Sequence, residues 1–221
     1  LVGWFGYFVY VLLRFHKTRN PQAGSLGVRP TTSNYIEVIV ALVEAVLLLF
    51  VAVPLWAKTV DKFPDPKEST VVQVVAQQFA WNIRYPGKDG EFGAQDMSLV
   101  TSENPFGIDP KDAKGKDDIT DMNRIHVVLD KPVIVRLSSK DVIHSFKVIA
   151  MRVTQDAIPG MRIQLHFTPT KPGVYQINCA QLCGQGHASM AVGYLEVDTQ
   201  EQFDKWMAAQ TPAPAGGASF E

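Results

Sequence analysis

Four side chains with soft or borderline donor atoms crowd into one short stretch: Cys179, Cys183, His187 and Met190, spaced Cys-x3-Cys-x3-His-x2-Met. Thiolate sulfur combined with imidazole favours copper, and a thioether is the usual weak axial ligand of electron-transfer copper. A mononuclear site of that type needs one Cys and two His. Two cysteines instead allow each thiolate to bridge two ions, and each ion then needs an imidazole of its own. The second imidazole must come from elsewhere in the chain. His144, in Asp141-Val142-Ile143-His144-Ser145-Phe146 at the end of a strand-like run, is the best placed. His166 lies between Leu165 and Phe167 inside a strand pattern and reads as a packed or surface residue, as does His126; His16 reads as interfacial. Two other chemistries fit the cysteines. A Cys-x3-Cys pair outside the cytoplasm can close a disulfide. Zinc can take two Cys and two His, although the usual finger spacings are absent and Met190 would then have no use beyond the core.

Ligands this close in sequence need a rigid frame to aim them, and residues 70–200 supply a strand-rich one. Short β-branched or alternating runs occur at 71–76, 125–129, 133–137, 162–167, 174–177 and 193–197. Lys171-Pro172-Gly173 marks a turn, and 199–209 reads as a short capping helix. Many short strands at close spacing predict a β-sandwich or barrel. The stretch 86–121, rich in Gly, Asp and Lys, is expected to be a long surface insertion. Residues 211–219 (TPAPAGGAS) have the composition of a flexible tail.

The first 57 residues are different in kind. Hydrophobic residues make up 46% of the 221-residue chain although 19% are charged, and the apolar weight is concentrated here. Residues 36–56 (IEVIVALVEAVLLLFVAVPLW) form a run that would reach roughly 31 Å as a helix, enough to cross a bilayer. Residues 1–13 are apolar and run into Arg14, His16, Lys17 and Arg19. Such a run reaches only roughly 20 Å, so a first transmembrane helix within 1–16 is expected to be incomplete. A signal-peptide remnant fits less well, because its charges precede the apolar run rather than follow it. Between the two runs stand Arg14, Lys17, Arg19 and Arg29, with no acid from 14 to 34. That bias places the short loop on the cytoplasmic side, and everything beyond a linker at 58–69 on the outer side. Glu37 and Glu44 lie within or at the edge of the second run, seven residues apart and nearly on one helical face. An acid in hydrocarbon must face protein or a water path. Glu37 reads equally as an interfacial acid or as part of a proton path.

Charge narrows the partners. The formal net charge of −1 excludes a general nucleic-acid binder, which would show a basic excess. From residue 58 onward 17 Lys and Arg face 20 Asp and Glu, a mild negative balance that permits docking of a basic protein. Two cysteines cannot build a disulfide scaffold, so their role is local.

With these motifs assembled, the chain resembles cytochrome c oxidase subunit II, over nearly all of its length. The family's ligand segment, C-x-E-x-C-G-x-x-H-x-x-M, is matched at Cys179, Cys183, Gly184, His187 and Met190, with Gln181 in place of Glu; Asp141 to Phe146 and Gln155-Asp156-Ala157-Ile158-Pro159-Gly160 match its other signatures. The resemblance implies a two-helix transmembrane hairpin followed by a cupredoxin-like domain with a dinuclear copper A centre, two copper ions in all. It implies bridging roles for Cys179 and Cys183, terminal ligation by His144 and His187, axial ligation by Met190, and ligation by the Gln181 backbone carbonyl. The family's Glu at the Gln181 position also binds a magnesium ion shared with subunit I, and Gln lacks that charge. Where relatives read Gln-Trp-Tyr-Trp, this chain has Gln78-Phe79-Ala80-Trp81, which puts Phe79 or Trp81 at the electron-entry position. Glu37 aligns with the acid at the mouth of the family's K proton channel.

The implied function is that of an electron-transfer subunit of cytochrome c oxidase. It would accept electrons from cytochrome c, or a cytochrome c domain of a partner complex, and pass them to haem in subunit I, where oxygen is reduced with proton translocation. Its partners would be subunit I, other oxidase subunits and membrane lipid. The expected setting is a bacterial inner membrane with the copper domain in the periplasm, rather than a mitochondrial one. No Cys-x-x-Cys-His motif occurs, so no c-type haem is expected on this chain. Rival readings are a quinol oxidase subunit II, which lacks the copper ligands, and a membrane-anchored copper chaperone, which has no need of Met190. Nitrous oxide reductase shares the ligand motif but needs a propeller that 221 residues cannot hold.

Overall fold

The structure is a computed structural model that describes residues 1–22 and 31–210. The tail at 211–219 and Arg29 of the basic loop lie outside the described residues. The chain divides into two compact units, Leu1–Leu55 and Trp56–Glu221.

The first unit, and the start of the second as far as Asp61, are helical. Helix α1 (Val2–Phe15) is apolar apart from Arg14 in its last turn, whose charge suits the negative end of the helix dipole. Helix α2 (Thr31–Leu47) passes into a π-type turn at Leu48–Ala52, then α3 (Val53–Trp56), then a second π-type turn at Ala57–Asp61. Thr32–Asp61 is long and apolar enough to cross a membrane; α1 is shorter. The first π-type turn ends two residues before Pro54, which has no N–H to give to the carbonyl one turn back, and the wider turn accommodates that loss. The helix outruns the predicted 36–56 at both ends. Thr31 to Tyr35 are too polar to register as hydrophobic yet continue the helix, and Ser33 Oγ donates to Glu37 Oε1 at 3.0 Å. The expected linker at 58–69 therefore begins as helix, and Pro66–Glu68 adds a 3-10 turn capped by the Asp65 carboxylate.

The second unit is a sandwich of two five-stranded sheets. One has the order β3-β2-β1-β5-β8 and comprises β1 (Thr70–Gln77), β2 (Ala80–Tyr85), β3 (Ile119–Met122), β5 (Val133–Ser139) and β8 (Ile163–Phe167). The other, of order β4-β10-β9-β6-β7, comprises β4 (Arg124–Val128), β6 (His144–Val148), β7 (Val153–Ala157), β9 (Gly173–Cys179) and β10 (Gly193–Asp198). Neighbours are antiparallel except β1 with β5 and β4 with β10. Alternation decides the core. In β1, Val72, Val74 and Ala76 point inward and meet Val133, Val135 and Leu137 of β5 on their own sheet and Ile125, Val127, Phe146, Ile177, Leu195 and Val197 from the facing one. Helix α4 (Gln200–Ala209) starts at a capping box between Thr199 and Gln202.

The strands expected at 71–76, 125–129, 133–137, 162–167, 174–177 and 193–197 all form, with ends shifted by up to two residues. Strands β2, β3, β6 and β7 were not expected. Strand β2 is buried on both faces and so lacks alternation, while β3 is a four-residue strand that shortens the expected insertion of 86–121. Nor is that insertion merely superficial. Its Phe106 and Asp118 are buried, and Asp118 forms an ion pair with Arg84 of β2.

Candidate metal centre

Three connections meet at one end of the sandwich: the two-residue β1–β2 turn, the β5–β6 loop and the β9–β10 loop. Their neighbourhood follows from the ladders, since β1 ends beside the start of β2 and the end of β5, and Phe146 pairs with Cys179. His144 opens β6 rather than ending a strand, and Cys179 closes β9. From there the chain loops through Cys183 and turns, with the His187 N–H bonded to the Gly184 carbonyl and the Ser189 N–H to that of Gly186. A 3-10 segment, His187–Val192, then carries Met190 back beneath the cysteines.

All six residues expected as ligands come together here. Cys179 Sγ and Cys183 Sγ are 3.9 Å apart, as free thiols. His144 Nδ1 is 3.2 Å from Met190 Sδ and 3.9 Å from Cys179 Sγ. His187 Nδ1 is 3.4 Å from Cys183 Sγ, and Met190 Sδ is 3.5 Å from the same sulfur. The Gln181 carbonyl oxygen accepts from Cys179 Sγ at 3.1 Å, while its side chain is exposed. His144 thus lies beside Met190 and Cys179, His187 beside Cys183, and the Gln181 carbonyl beside Cys179. Two sulfurs bound to one ion at about 2.3 Å in near-tetrahedral geometry stand about 3.8 Å apart, so the observed spacing fits without rearrangement. Burial, then the neighbouring Cys179 thiol, pushes the Cys183 thiol up to about 11.

Two positioning residues escape a sequence reading. The Asp141 Oδ1 lies 2.9 Å from His144 Nε2, which leaves Nδ1 as the nitrogen turned to the sulfurs. Burial acts to raise the Asp141 carboxyl, but hydrogen bonds from the Gln78 N–H, the His144 ring and the Val142 N–H outweigh it and hold the group below its ordinary range. Gln78 donates its backbone N–H to Asp141 Oδ2 and its side-chain amide to the Cys183 carbonyl, each at 2.6 Å. Asp141 carried a signal, three residues before the histidine; Gln78, 105 residues from Cys183, carried none.

The aromatic pair takes two distinct places. Trp81 is fully buried, donates Nε1–H to the Met190 carbonyl at 3.1 Å and meets His144 edge-on at 6.3 Å between ring centroids. Its burial keeps it from touching a docked protein directly. Phe79 is half-buried and lies over Gly184 and Gly186. A Cβ on Gly186 would collide with the Phe79 ring, so the closeness of ring and loop requires glycine there. Gly186→Ala should cost about 1–3 kcal/mol in chemical denaturation, the usual range for overpacking. Adding Phe79→Leu should recover part of it; an undiminished cost in the double variant would show that the ring is not the obstacle. His166 lies elsewhere, its ring against Phe63, and His126 pairs with Asp198. Glu37 belongs to the helical unit.

A two-sheet sandwich with a sulfur and imidazole cluster on the loops at one end is a cupredoxin-like domain. Residues 70–197 match the family model described as cytochrome c oxidase subunit II, periplasmic domain, and the chain belongs to that family. It is 36% identical over 146 residues to an alternative cytochrome c oxidase subunit 2 of Bradyrhizobium diazoefficiens, covering 66% of this chain and 52% of that one. It is 30% identical over 213 residues to a probable cytochrome c oxidase subunit 2 of Rickettsia bellii, covering 96% and 74% respectively. The chain thus spans about half the length of the first relative. The crystal structure of the periplasmic domain of subunit II of cytochrome oxidase from Bradyrhizobium japonicum superposes with a TM-score of 0.47 at 27% identity, covering 65% of this chain and 94% of that one.

Proposed function

We propose that this chain is the electron-accepting subunit of a haem-copper oxygen reductase, with a dinuclear copper A centre held by Cys179, Cys183, His144, His187, Met190 and the Gln181 carbonyl. The observation that carries this reading is the convergence of those six donors around two free thiols at one end of the sandwich. When bound, a copper pair of this kind takes up and gives back one electron with the charge spread over both ions.

The protein's own part is to hold the donors still and dry. Met190, Cys183 and His144 are buried and exclude water from one side. Asp141 fixes the His144 ring, Trp81 holds the Met190 carbonyl and Gln78 holds the Cys183 carbonyl, so a change of charge meets ligands that are already restrained. Phe79, over the ligand loop, would take the incoming electron from a cytochrome c, and Trp81, against Met190 and His144, would help pass it inward. Leu182, 78% exposed on the ligand loop, offers an apolar docking contact. The electron then passes to haem in subunit I, where oxygen is reduced with proton translocation. The helical unit anchors the chain in a bacterial inner membrane as a two-helix hairpin, with the sandwich on the periplasmic side. Glu37 stands at the entrance of a proton path into subunit I. The neutral amide of Gln181 gives a magnesium shared with subunit I a weaker hold than a carboxylate would.

Metal analysis and electron-spin resonance of the purified chain test the reading. Two coppers per chain with one mixed-valence signal shared between them are expected. One copper would favour a copper chaperone, and none a quinol oxidase subunit. Asp141→Asn should keep the fold yet weaken copper binding about 10–100-fold, the usual effect of losing a carboxylate behind a ligating imidazole. Competition against a copper chelator measures this, and unchanged affinity would remove Asp141 from the site.

A further inference from the structure

A second set of metal-binding side chains, sharing no residue with the sulfur cluster, lies where β4 and β10 pair. His126, Glu196 and Asp198 bring an imidazole nitrogen and two carboxylate oxygens within 4.8 Å of one another. Parallel pairing sets Glu196 beside His126, and the two-residue period of a strand puts Asp198 on the same face one pleat further on. His126 Nδ1 is 2.7 Å from Asp198 Oδ2 and 3.9 Å from Glu196 Oε2. Nitrogen and oxygen donors around a tetrahedral ion at about 2.05 Å stand roughly 3.3 Å apart, a separation these two distances bracket.

The imidazole is held in place before any ion arrives. Trp206 of α4 stacks on it at 4.2 Å between centroids and 18° between planes. Tyr85 Oη accepts from the His126 N–H at 2.7 Å and donates to its carbonyl at 3.0 Å, which fixes the backbone beneath the ring. Nε2 is buried without a partner, so the ring's polar contacts are all made through Nδ1, towards the two acids. The side chains of His126, Glu196 and Asp198 are 8%, 20% and 18% exposed, which leaves an opening for an ion and its water.

Charge points the same way. Asp121, Glu196 and Asp198 are three carboxylates, and among the described residues the fixed cation paired with them is Arg124, whose Nη1 lies 3.0 Å from Glu196 Oε1. With a neutral imidazole the group carries a net charge of −2, which a divalent cation would cancel. Burial first, and Glu196 among the neighbours, raises the Asp121 carboxyl against the opposing pull of the Met122 N–H, His126 and Arg124.

We infer that His126, Glu196 and Asp198 form a binding site for a divalent first-row transition ion, with zinc the best match to one imidazole, two carboxylates and an open position. Occupancy would tie β4 and β10 together directly beneath α4. The test uses the full chain carrying Cys179→Ser and Cys183→Ser, so that zinc cannot settle on the thiols, and equilibrium dialysis against zinc. One zinc per chain is expected, with a rise in melting temperature. Asp198→Asn and Glu196→Gln should each weaken binding tenfold or more. Arg124→Gln should tighten it several-fold by releasing Glu196, an effect that a purely structural His–Asp pair would not produce. Should His126→Gln fail to fold, Asp198→Asn still decides the matter, because it keeps the Trp206 stack. A chain that takes up no zinc, or zinc uptake indifferent to Asp198→Asn, would overturn the inference.

Discussion

His144→Ala should abolish the mixed-valence electron-spin signal, while His166→Ala should leave it intact. Both positions are histidines at strands of the same sandwich, so a general loss of fold would affect both. What separates them is surroundings. His144 is fully buried, with Nδ1 turned towards Met190 and Cys179 and Nε2 engaged by Asp141. His166 stands on β8 with its ring against Phe63, away from any sulfur. Removing His144 takes away the nitrogen beside Met190 and Cys179, and the remaining thioether and sulfurs cannot hold an ion there as firmly. Copper content should fall below two per chain, and whatever remains should show the spectrum of isolated ions. The reverse pattern, with His166 needed and His144 dispensable, would sink the ligand assignment.

Arg84→Met should destabilise the sandwich by about 3–5 kcal/mol, the usual cost of leaving one member of a buried ion pair alone. The guanidinium and the Asp118 carboxylate are both wholly buried. Arg84 also donates to Gln73 Oε1 at 3.1 Å and to the Gly93 carbonyl at 2.9 Å, and lies over the rings of Phe92 and Phe106. One side chain thus fastens the insertion to β2. Burial already raises the Asp118 carboxyl above 3.8, with the bonds from Arg84 opposing it. A carboxyl raised in the folded state binds its proton more tightly there than in the unfolded chain. Its contribution is present below about 3.8 and lost as pH rises through the folded value. The cost of Arg84→Met should therefore shrink under acid conditions. Denaturant titrations at two pH values measure both effects, and Arg84→Met with Asp118→Leu should recover most of the loss. A single variant that costs under about 1 kcal/mol would place the pair among weak surface bridges instead.

The parts of this molecule legible from its residues are those whose information is local. Cys179 to Met190 lie within one loop and a short 3-10 segment, so spacing alone brought four donors together. The strands announced themselves either by β-branched runs, as residues 71–76 of β1 do, or by alternation, as residues 133–137 of β5 do. Strand β2 did not, because the insertion covers its second face and allows Arg84 and Asn82 to be buried there. Gln78 is the extreme case. Its amide reaches a carbonyl 105 residues away, and no local pattern encodes a contact that depends on two loops meeting. The ends of the long helix were misjudged for a related reason: hydropathy reports where side chains stop being apolar, not where the backbone stops being helical.

That long helix carries one more consequence. Each π-type turn holds an extra residue, and one extra residue swings everything beyond it by about 100° about the axis. Counting by sevens from Glu37 and Glu44 therefore keeps to one side only as far as Leu47. The next step, Val51, already falls in the widened turn, so the stripe that the two acids begin leaves its side there instead of continuing straight.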